Sequence, residues 1–340
     1  MKVLAGDVGG TKTALSLYES DESGGYRTLV ERVYASADHP SLLAVLQQFL
    51  PAAAGGGGAT AAGGGGVDAA VFSVAGPVQA GVCTTTNLPW VISESELARE
   101  LKIPVALIND FHAVAIGVTQ LQAAELRVLQ AGSRDPNGVY AVLGAGTGLG
   151  EAVAVPTGRS VRVLPGEGGH SDFAPRNEEE WRLLRFLRTK SEHVSVERVV
   201  SGMGLGSLYD FVVADGQARD DAETRRRFAD ESRGAVIGDR AALDPAAARA
   251  LAMFVSAYGA EAGNLALKVL PTGGLYVAGG IAARMADRLA WDVFMDNFLS
   301  KGRMRELLGA IPVAVVLHPN VGLLGARAHA ALLWRDRTLH

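Results

Sequence analysis

Residues 2–18 read Lys-Val-Leu-Ala-Gly-Asp-Val-Gly-Gly-Thr-Lys-Thr-Ala-Leu-Ser-Leu-Tyr. A short apolar run, Lys2–Gly6, ends in the loop Asp7-Val8-Gly9-Gly10-Thr11-Lys12, after which Ala14–Tyr18 alternates like a strand. Counted from Gly9 to Gly146, 137 residues further on, the pattern returns. Val139–Leu143 is apolar, Gly144-Ala145-Gly146-Thr147-Gly148-Leu149-Gly150 is the loop, and Ala152–Val155 is strand-like. Strand, glycine loop and strand occurring twice predict a duplicated α/β architecture with a cleft between two lobes.

Around these units Thr28–Tyr34 reads as a third strand and Gly274–Ala278 and Val313–Leu317 as later ones. Helical periodicity marks Ser41–Leu50, Ser95–Leu101, Phe111–Leu121, Glu178–Thr189, Ala246–Leu270 and Leu323–Trp334. Ala246–Leu270 is apolar on more than one side, which predicts a buried helix.

The chain has 340 residues, 48% of them hydrophobic, and a net charge of −4, which excludes wholesale disorder and argues against a dedicated nucleic-acid binder. Its single cysteine, Cys83, cannot form an internal disulfide or a Cys-rich zinc site. Met1–Ala5 runs straight into the first glycine loop without the apolar stretch of a secretory signal, and no uncharged apolar run approaches a membrane span. A cytoplasmic protein with neither membrane nor nucleic-acid partner is expected. Glycine is in excess, 42 residues. Eight of them lie in Gly55–Gly58 and Gly63–Gly66, within the Ala/Gly stretch 52–66, which composition marks as a flexible, dispensable insert between Ser41–Leu50 and a strand at Asp68–Ala75.

The remaining glycines carry more chemistry. Gly6-x4-Thr11-Lys12-Thr13 nearly matches a P-loop, but the residues after Lys12 alternate as a strand instead of opening a helix. A β-hairpin whose tip offers backbone N–H groups to a phosphate fits better. Leu149 breaks the dinucleotide fingerprint in the second loop, which disfavours a nicotinamide-dependent oxidoreductase. Asp7 at a strand end is placed to hold Mg²⁺ through water. Gly279-Gly280 follows a strand and opens a helix, a geometry suited either to a ligand or simply to close helix–strand packing.

Three polar features stand beside the loops. Val105–Ile108 ends in Asn109-Asp110, where Asp110 is either a helix N-cap or a general base, with Asn109 then free to hold a hydroxyl. Pro165-Gly166-Glu167-Gly168-Gly169-His170 leaves Glu167 and His170 unshielded on a glycine loop. Glu-x-x-His could mark a metal pair, but no third ligand accompanies it, and hydrogen bonding to sugar hydroxyls fits better. Glu197 sits where a helix is expected to begin, and its plain role is to cap that helix.

These motifs occur in order: Gly6–Lys12 (GDVGGTK), Asn87–Trp90 (NLPW), Ile108–Phe111 (INDF), Leu143–Glu151 (LGAGTGLGE), Pro165–Pro175 (PGEGGHSDFAP), His193–Gly202 (HVSVERVVSG), Gly263–Leu267 (GNLAL) and Ala278–Ile281 (AGGI). In this the chain resembles the bacterial glucokinase family, the hexokinase-like members of the actin-like ATPase superfamily. The resemblance implies a two-lobed actin-like ATPase fold, ribonuclease H-like and duplicated, with a central cleft. It places a small lobe at 1–120 plus about 318–340 and a large lobe at 121–317. It also implies ATP-dependent phosphorylation of glucose at the 6-hydroxyl, with MgATP and glucose as partners, as the first step of glycolysis.

Carried over by motif, Asp110 is the general base, and Asn109, Glu167, His170 and Glu197 are sugar ligands. Asp7, Gly9, Gly10, Thr11 and Lys12 match the first phosphate loop; Gly144, Gly146, Thr147 and Gly148 match the second; Gly279 and Gly280 match the adenosine element. Members of the family are often dimeric, so a homodimer is expected. Two departures matter. Many members carry Asn at the place of Lys12, and the related branch of repressors and kinases carries a cysteine-rich zinc loop that this chain cannot build, so no structural zinc is expected. A kinase for another hexose, and a non-catalytic sensor of ATP and sugar, remain the alternatives.

Overall fold

Alternation in the first strand sends its side chains to two different cores. The computed structural model describes residues 1–21, 25–53, 66–85, 88–158 and 160–338. Most of the Ala/Gly stretch read as an insert, and Asn87 of the NLPW motif, lie outside the described residues. The chain divides into two compact units: Met1–Leu121 with Thr157–Val163 and Asn320–His340, and Gln122–Pro156 with Leu164–Pro319.

In the first unit β1 (Lys2–Val8) pairs antiparallel with β2 (Lys12–Ser20), and β2 with β3 (Tyr26–Ala35). β4 (Ala69–Val74) lies parallel to β1 on its other side. β5 (Val78–Gln79), β6 (Val82–Thr84) and β7 (Val91–Ser93) form a small separate sheet, and β8 (Val105–Asn109) runs parallel to β4. Leu4 and Val8 of β1 face α1 (Leu42–Ala53) and α2 (Glu94–Leu101), packing with Val45, Phe49 and Leu97. Val3 and Ala5 face the opposite way, joining Ala113 of α3 (Asp110–Gly117) and Leu323, Ala326 and Ala330 near the C-terminus.

The second unit repeats the plan. β10 (Tyr140–Ala145), which follows β9 (Leu126–Gln130), pairs antiparallel with β11 (Leu149–Thr157). Beyond β12 (Ser160–Pro165), β13 (Gly274–Ala278) lies parallel to β10 and β14 (Val313–Val316) parallel to β13. The strand order β3-β2-β1-β4-β8 of the first sheet recurs as β12-β11-β10-β13-β14, with β9 added at the edge. This is the duplication that the two glycine loops predict.

The helices of this unit are α4 (Glu178–Arg188), α5 (Gly202–Ala214), α6 (Ala222–Arg227), α7 (Arg233–Arg240), α8 (Pro245–Val269), α9 (Gly279–Arg284), α10 (Trp291–Leu299) and α11 (Arg305–Gly309). α8 starts at an Asp244 cap with proline in its first turn, and it buries Phe254, Tyr258 and Leu265 against Leu143 and Val277 of the sheet. Its burial on several sides matches the sequence expectation. The chain then returns to the first unit as α12 (Val321–Thr338). α12 approaches α3 so closely that a β-carbon at Gly325 would overlap the Ala113 carbonyl.

Three boundaries differ from the periodicity. α1 continues past Pro51, because a proline in the last turn removes only one helical hydrogen bond. The helix expected over Phe111–Leu121 ends at Gly117 and tightens into a 3₁₀ turn, Val118–Gln120. α5 carries Gly202, Gly204 and Gly206 and begins at Gly202, five residues past the start expected at Glu197. It forms because Leu205, Leu208, Tyr209 and Phe211 are buried and Ser201 caps it through Gly204 N–H at 2.9 Å.

Candidate active site

In the first unit the chemistry gathers at the carboxyl ends of β1, β4 and β8, where open α/β sheets characteristically bind ligands. The tip between β1 and β2 is a hairpin, as expected, with Gly9 N–H donating to the Lys12 carbonyl at 2.9 Å. Ser36 braces it from β3's end: its hydroxyl donates to the Gly9 carbonyl at 2.9 Å and its amide to the Thr11 carbonyl at 3.0 Å. Gly10 and Thr11 form the turn, and the side chains of Thr11 and Lys12 are exposed. Asp7, at the end of β1, accepts a hydrogen bond from the Ser73 hydroxyl at 3.2 Å, and burial raises its carboxyl above the usual range.

Asp110 opens α3 directly after β8. Burial is the main force that pushes its carboxyl up to about 6, with the nearby Asp7 charge adding and the Phe111 amide at 2.9 Å opposing. A carboxylate poised near neutral pH suits a general base. The capping role considered for Asp110 belongs instead to Asn109. Its Oδ1 accepts from the amides of Phe111 at 2.9 Å and His112 at 3.4 Å, and its Nδ2 donates to the Gly76 carbonyl at 3.1 Å. Asn109 is therefore less free than the sequence suggested, with one Nδ2 hydrogen remaining for a ligand.

In the second unit the β10–β11 tip is again a hairpin, closed by Gly146 N–H to the Gly148 carbonyl at 2.8 Å. Gly144 lies in β10, and the Gly202 amide at the start of α5 donates to the Gly146 carbonyl at 2.8 Å. Glu197 does not cap the following helix, a task that falls to Ser201, but lies in a 3₁₀ turn, Val196–Arg198. Its Oε2 accepts the Leu149 amide at 2.9 Å, and a β-carbon at Gly148 would overlap that oxygen. The carboxylate thus holds the rim of the second glycine loop.

Segments 171–173 and 194–196 pair through Phe173 N–H to Val194 O at 3.0 Å and Val196 N–H to Ser171 O at 2.9 Å. This pairing brings Glu197 beside the Glu167–His170 loop. Glu167 and His170 are exposed; Glu167 precedes and His170 ends a single 3₁₀ turn, Gly168–His170, whose Gly169 packs on the Leu149 carbonyl. No cluster of three His, Cys, Asp or Glu that could hold a metal occurs among the described residues. The structure thus joins Gly146, Thr147, Gly148, Glu167, His170 and Glu197 in one unit, and Asp7, Gly9, Gly10, Thr11, Lys12, Asn109 and Asp110 in the other.

Gly279 takes a left-handed φ of 88°, and its α-carbon sits so near Ala145 that an added β-carbon would be 2.6 Å from that carbonyl. A cavity of about 390 Å³ opens here, large enough for a nucleoside. Gly146 and Thr147 line one side, Ile281 and Arg284 another, and Met203, Gly234 and Asp239 the rest. The sequence offered no motif for the contributions of α5 and α7. Arg288 reaches Asp239 at 3.2 Å at the rim.

Tyr258 carries no signal in the sequence beyond its place on a buried helix. Its buried hydroxyl accepts the Ala145 amide at 3.1 Å and donates to the Ala278 carbonyl at 3.4 Å, tying the strand before the second glycine loop to the strand before Gly279. Tyr258→Phe should take this partner from the Ala145 amide and lower stability by about 1–3 kcal/mol, which thermal melts check.

The glucokinase family profile matches residues 4–333. The chain is 44% identical to a glucokinase of Nostoc punctiforme over 97% of this chain and 99% of that one, and 46% identical to one of Synechocystis over 96% and 97%. Among solved structures, a glucokinase from an Antarctic psychrotroph has a TM-score of 0.82 and 32% identity, covering 97% of this chain and 99% of that one. At 21% identity, a Balamuthia mandrillaris glucokinase solved with glucose shares the fold, with a TM-score of 0.75 over 97% of this chain and 93% of that one. Full-length matches of this kind, together with the repeated sheet and its paired glycine hairpins, make the chain a member of the glucokinase family with the duplicated α/β fold of the actin-like ATPases.

Proposed function

We propose that this chain transfers the terminal phosphoryl group of ATP to the 6-hydroxyl of D-glucose, giving glucose 6-phosphate and ADP. The observation that carries the reading is Asp110, a carboxylate tuned by burial to about 6 at the carboxyl end of the first sheet. Glu167, His170, Glu197 and the remaining Nδ2 hydrogen of Asn109 bind the sugar hydroxyls and orient the 6-hydroxyl. Asp110 takes its proton as O6 bonds to phosphorus and the bridging oxygen leaves with ADP. The tip amides at Gly10–Thr11 and Thr147–Gly148 and the Lys12 ammonium hold the phosphates, with Gly9 and Gly146 closing the hairpins that present them. Gly279, Gly280 and the adjoining cavity accept adenosine.

Asp7 suits Mg²⁺, being a hard oxygen donor with one carboxylate oxygen on Ser73 and the other available. Bound there through water, the ion would neutralise phosphate charge. We read 1–120 with about 318–340 as the small lobe and 121–317 as the large one. We further place the enzyme in the cytoplasm as a homodimer that feeds glycolysis. No helix among the described residues is long and apolar enough to cross a membrane.

A hexose panel at fixed MgATP tests the substrate. Glucose should give the highest kcat/KM, because a site built to bond a hydroxyl discriminates strongly against sugars lacking it. A higher kcat/KM for another hexose would overturn the assignment to glucose.

A further inference from the structure

Glu151 lies on β11, two residues past Leu149, whose amide Glu197 holds. Its side chain is 5% exposed, and Oε1 has no hydrogen-bond partner among the described residues. The Gly168–His170 turn rests directly on it, since a β-carbon at Gly168 would overlap Oε2. α8 brings Glu261, which is 4% exposed and whose Oε1 accepts no hydrogen bond among the described residues. Its second oxygen accepts from Asn264 at 2.8 Å. Lys268 stands 3.8 Å from Glu261 and is half exposed. A buried carboxylate with no donor is too costly to remain charged, so such a group takes up a proton instead.

We propose that Glu151 is a positioning residue for the sugar-binding loop and acts as an uncharged carboxylic acid buried against Gly168. The proposal rests on the reading of Glu167 and His170 as sugar ligands. The charged and titratable groups acting on Glu151 are Glu261, Lys268 and Tyr258 on α8, with Lys301 acting on Glu261; the loop covers it through Gly168, and that loop's Glu167 and His170 are exposed. Burial first, then repulsion by Glu261, push the Glu151 carboxyl up to about 7, against a smaller opposing pull from Lys268. When Glu151 ionises, the charge must be solvated. The loop resting on it then lifts, and Glu167 and His170 lose their places.

Glucose binding measured calorimetrically without ATP reads this out. Between pH 6.5 and 8.5 the wild-type Kd should rise at least about fivefold, with roughly 20-fold as the limit in which the ionised form does not bind. Glu151→Gln keeps the shape and the neutral state, and should hold the Kd within about twofold over the same range. Glu261→Gln removes the repulsion and should move the wild-type rise to lower pH. A Glu151→Gln protein that retains the full rise would overturn the proposal, as would an unmoved midpoint in Glu261→Gln.

Thermal melts test the uncharged state apart from the sugar. A carboxyl raised in the folded state loses its stabilising contribution as pH climbs toward its folded value, so the Tm advantage of Glu151→Gln over wild type should widen by roughly 3–5 °C from pH 5 to pH 8. A constant gap would contradict a buried acid. Glu167→Gln separates the underlying reading: an unchanged glucose Kd in that variant would remove the loop from sugar binding and the positioning role with it. A weakened Kd there, beside an unaltered pH rise in Glu151→Gln, would reject Glu151 alone.

Discussion

Asp110→Asn should lower kcat by at least about 100-fold while changing the glucose Kd little, because it removes the base and leaves the sugar ligands in place. The substitution is conservative in structure. Asp110 Oδ1 receives the Phe111 amide at 2.9 Å, and an asparagine oxygen can receive the same bond. The pH profile gives a second signature. With the carboxyl pushed up to about 6, wild-type activity should fall as pH drops through that value and level off above it. The sign of the stability effect is opposite. A carboxyl raised from 3.8 in the unfolded chain to about 6 in the fold gives its full contribution below 3.8 and loses it as pH rises through 6. Asp110→Asn should therefore be more stable than wild type at neutral pH, by on the order of 2 kcal/mol. A variant that is slower yet more stable is the expected pattern for a group held in a costly state for catalysis. A variant that keeps most of its kcat would remove Asp110 from the role of base.

Glu197→Ala should be nearly as damaging, and for two reasons at once. Its carboxylate is read as a sugar ligand, and its Oε2 accepts the Leu149 amide at 2.9 Å on the rim of the second glycine hairpin. Removing both functions should reduce kcat/KM for glucose by roughly 10²–10³-fold and raise the KM for ATP as well. Glu197→Gln separates the two roles. The amide oxygen can still receive Leu149 N–H, so the KM for ATP should return close to wild type, while the sugar loses a charged acceptor and its KM stays high. An ATP KM untouched in Glu197→Ala would mean that the Leu149 bond does not shape the nucleotide site.

The fold was legible wherever alternation met glycine. Lys2–Tyr18 and Val139–Val155 show strand periodicity on either side of a turn that only small residues accommodate, and both fold as antiparallel hairpins. The repeat between them predicts a duplicated α/β architecture; that the two sheets share one strand order emerges only from the structure. Other elements were hidden by tertiary context. α5 carries three glycines that lower its helix propensity, and it forms because Leu205, Leu208 and Phe211 are buried and Gly204 lets the chain pass close to Val199. The small sheet of β5, β6 and β7 has strands of two or three residues, too short to show a period.

At the site, residue types were readable but their bonding was not. Asn109 and Asp110 stand side by side in sequence, and only the direction of α3 assigns the cap to one and leaves the other to act as base. Glu151 stood in plain sight within the LGAGTGLGE motif. Its meaning depends on Gly168 and Glu261, 17 and 110 residues away. The nucleoside-sized cavity draws on α5, α7 and α9, which share no local pattern.

A kinase moves a phosphoryl group, whereas a sensor on the same fold only binds its ligands. ³¹P NMR of the purified protein with glucose and MgATP separates the two. ADP and a phosphomonoester with the shift of glucose 6-phosphate should grow in equal amounts, and Asp110→Asn should slow both together. Saturable binding of glucose and ATP with no phosphomonoester formed would contradict phosphoryl transfer and leave the protein as a sensor.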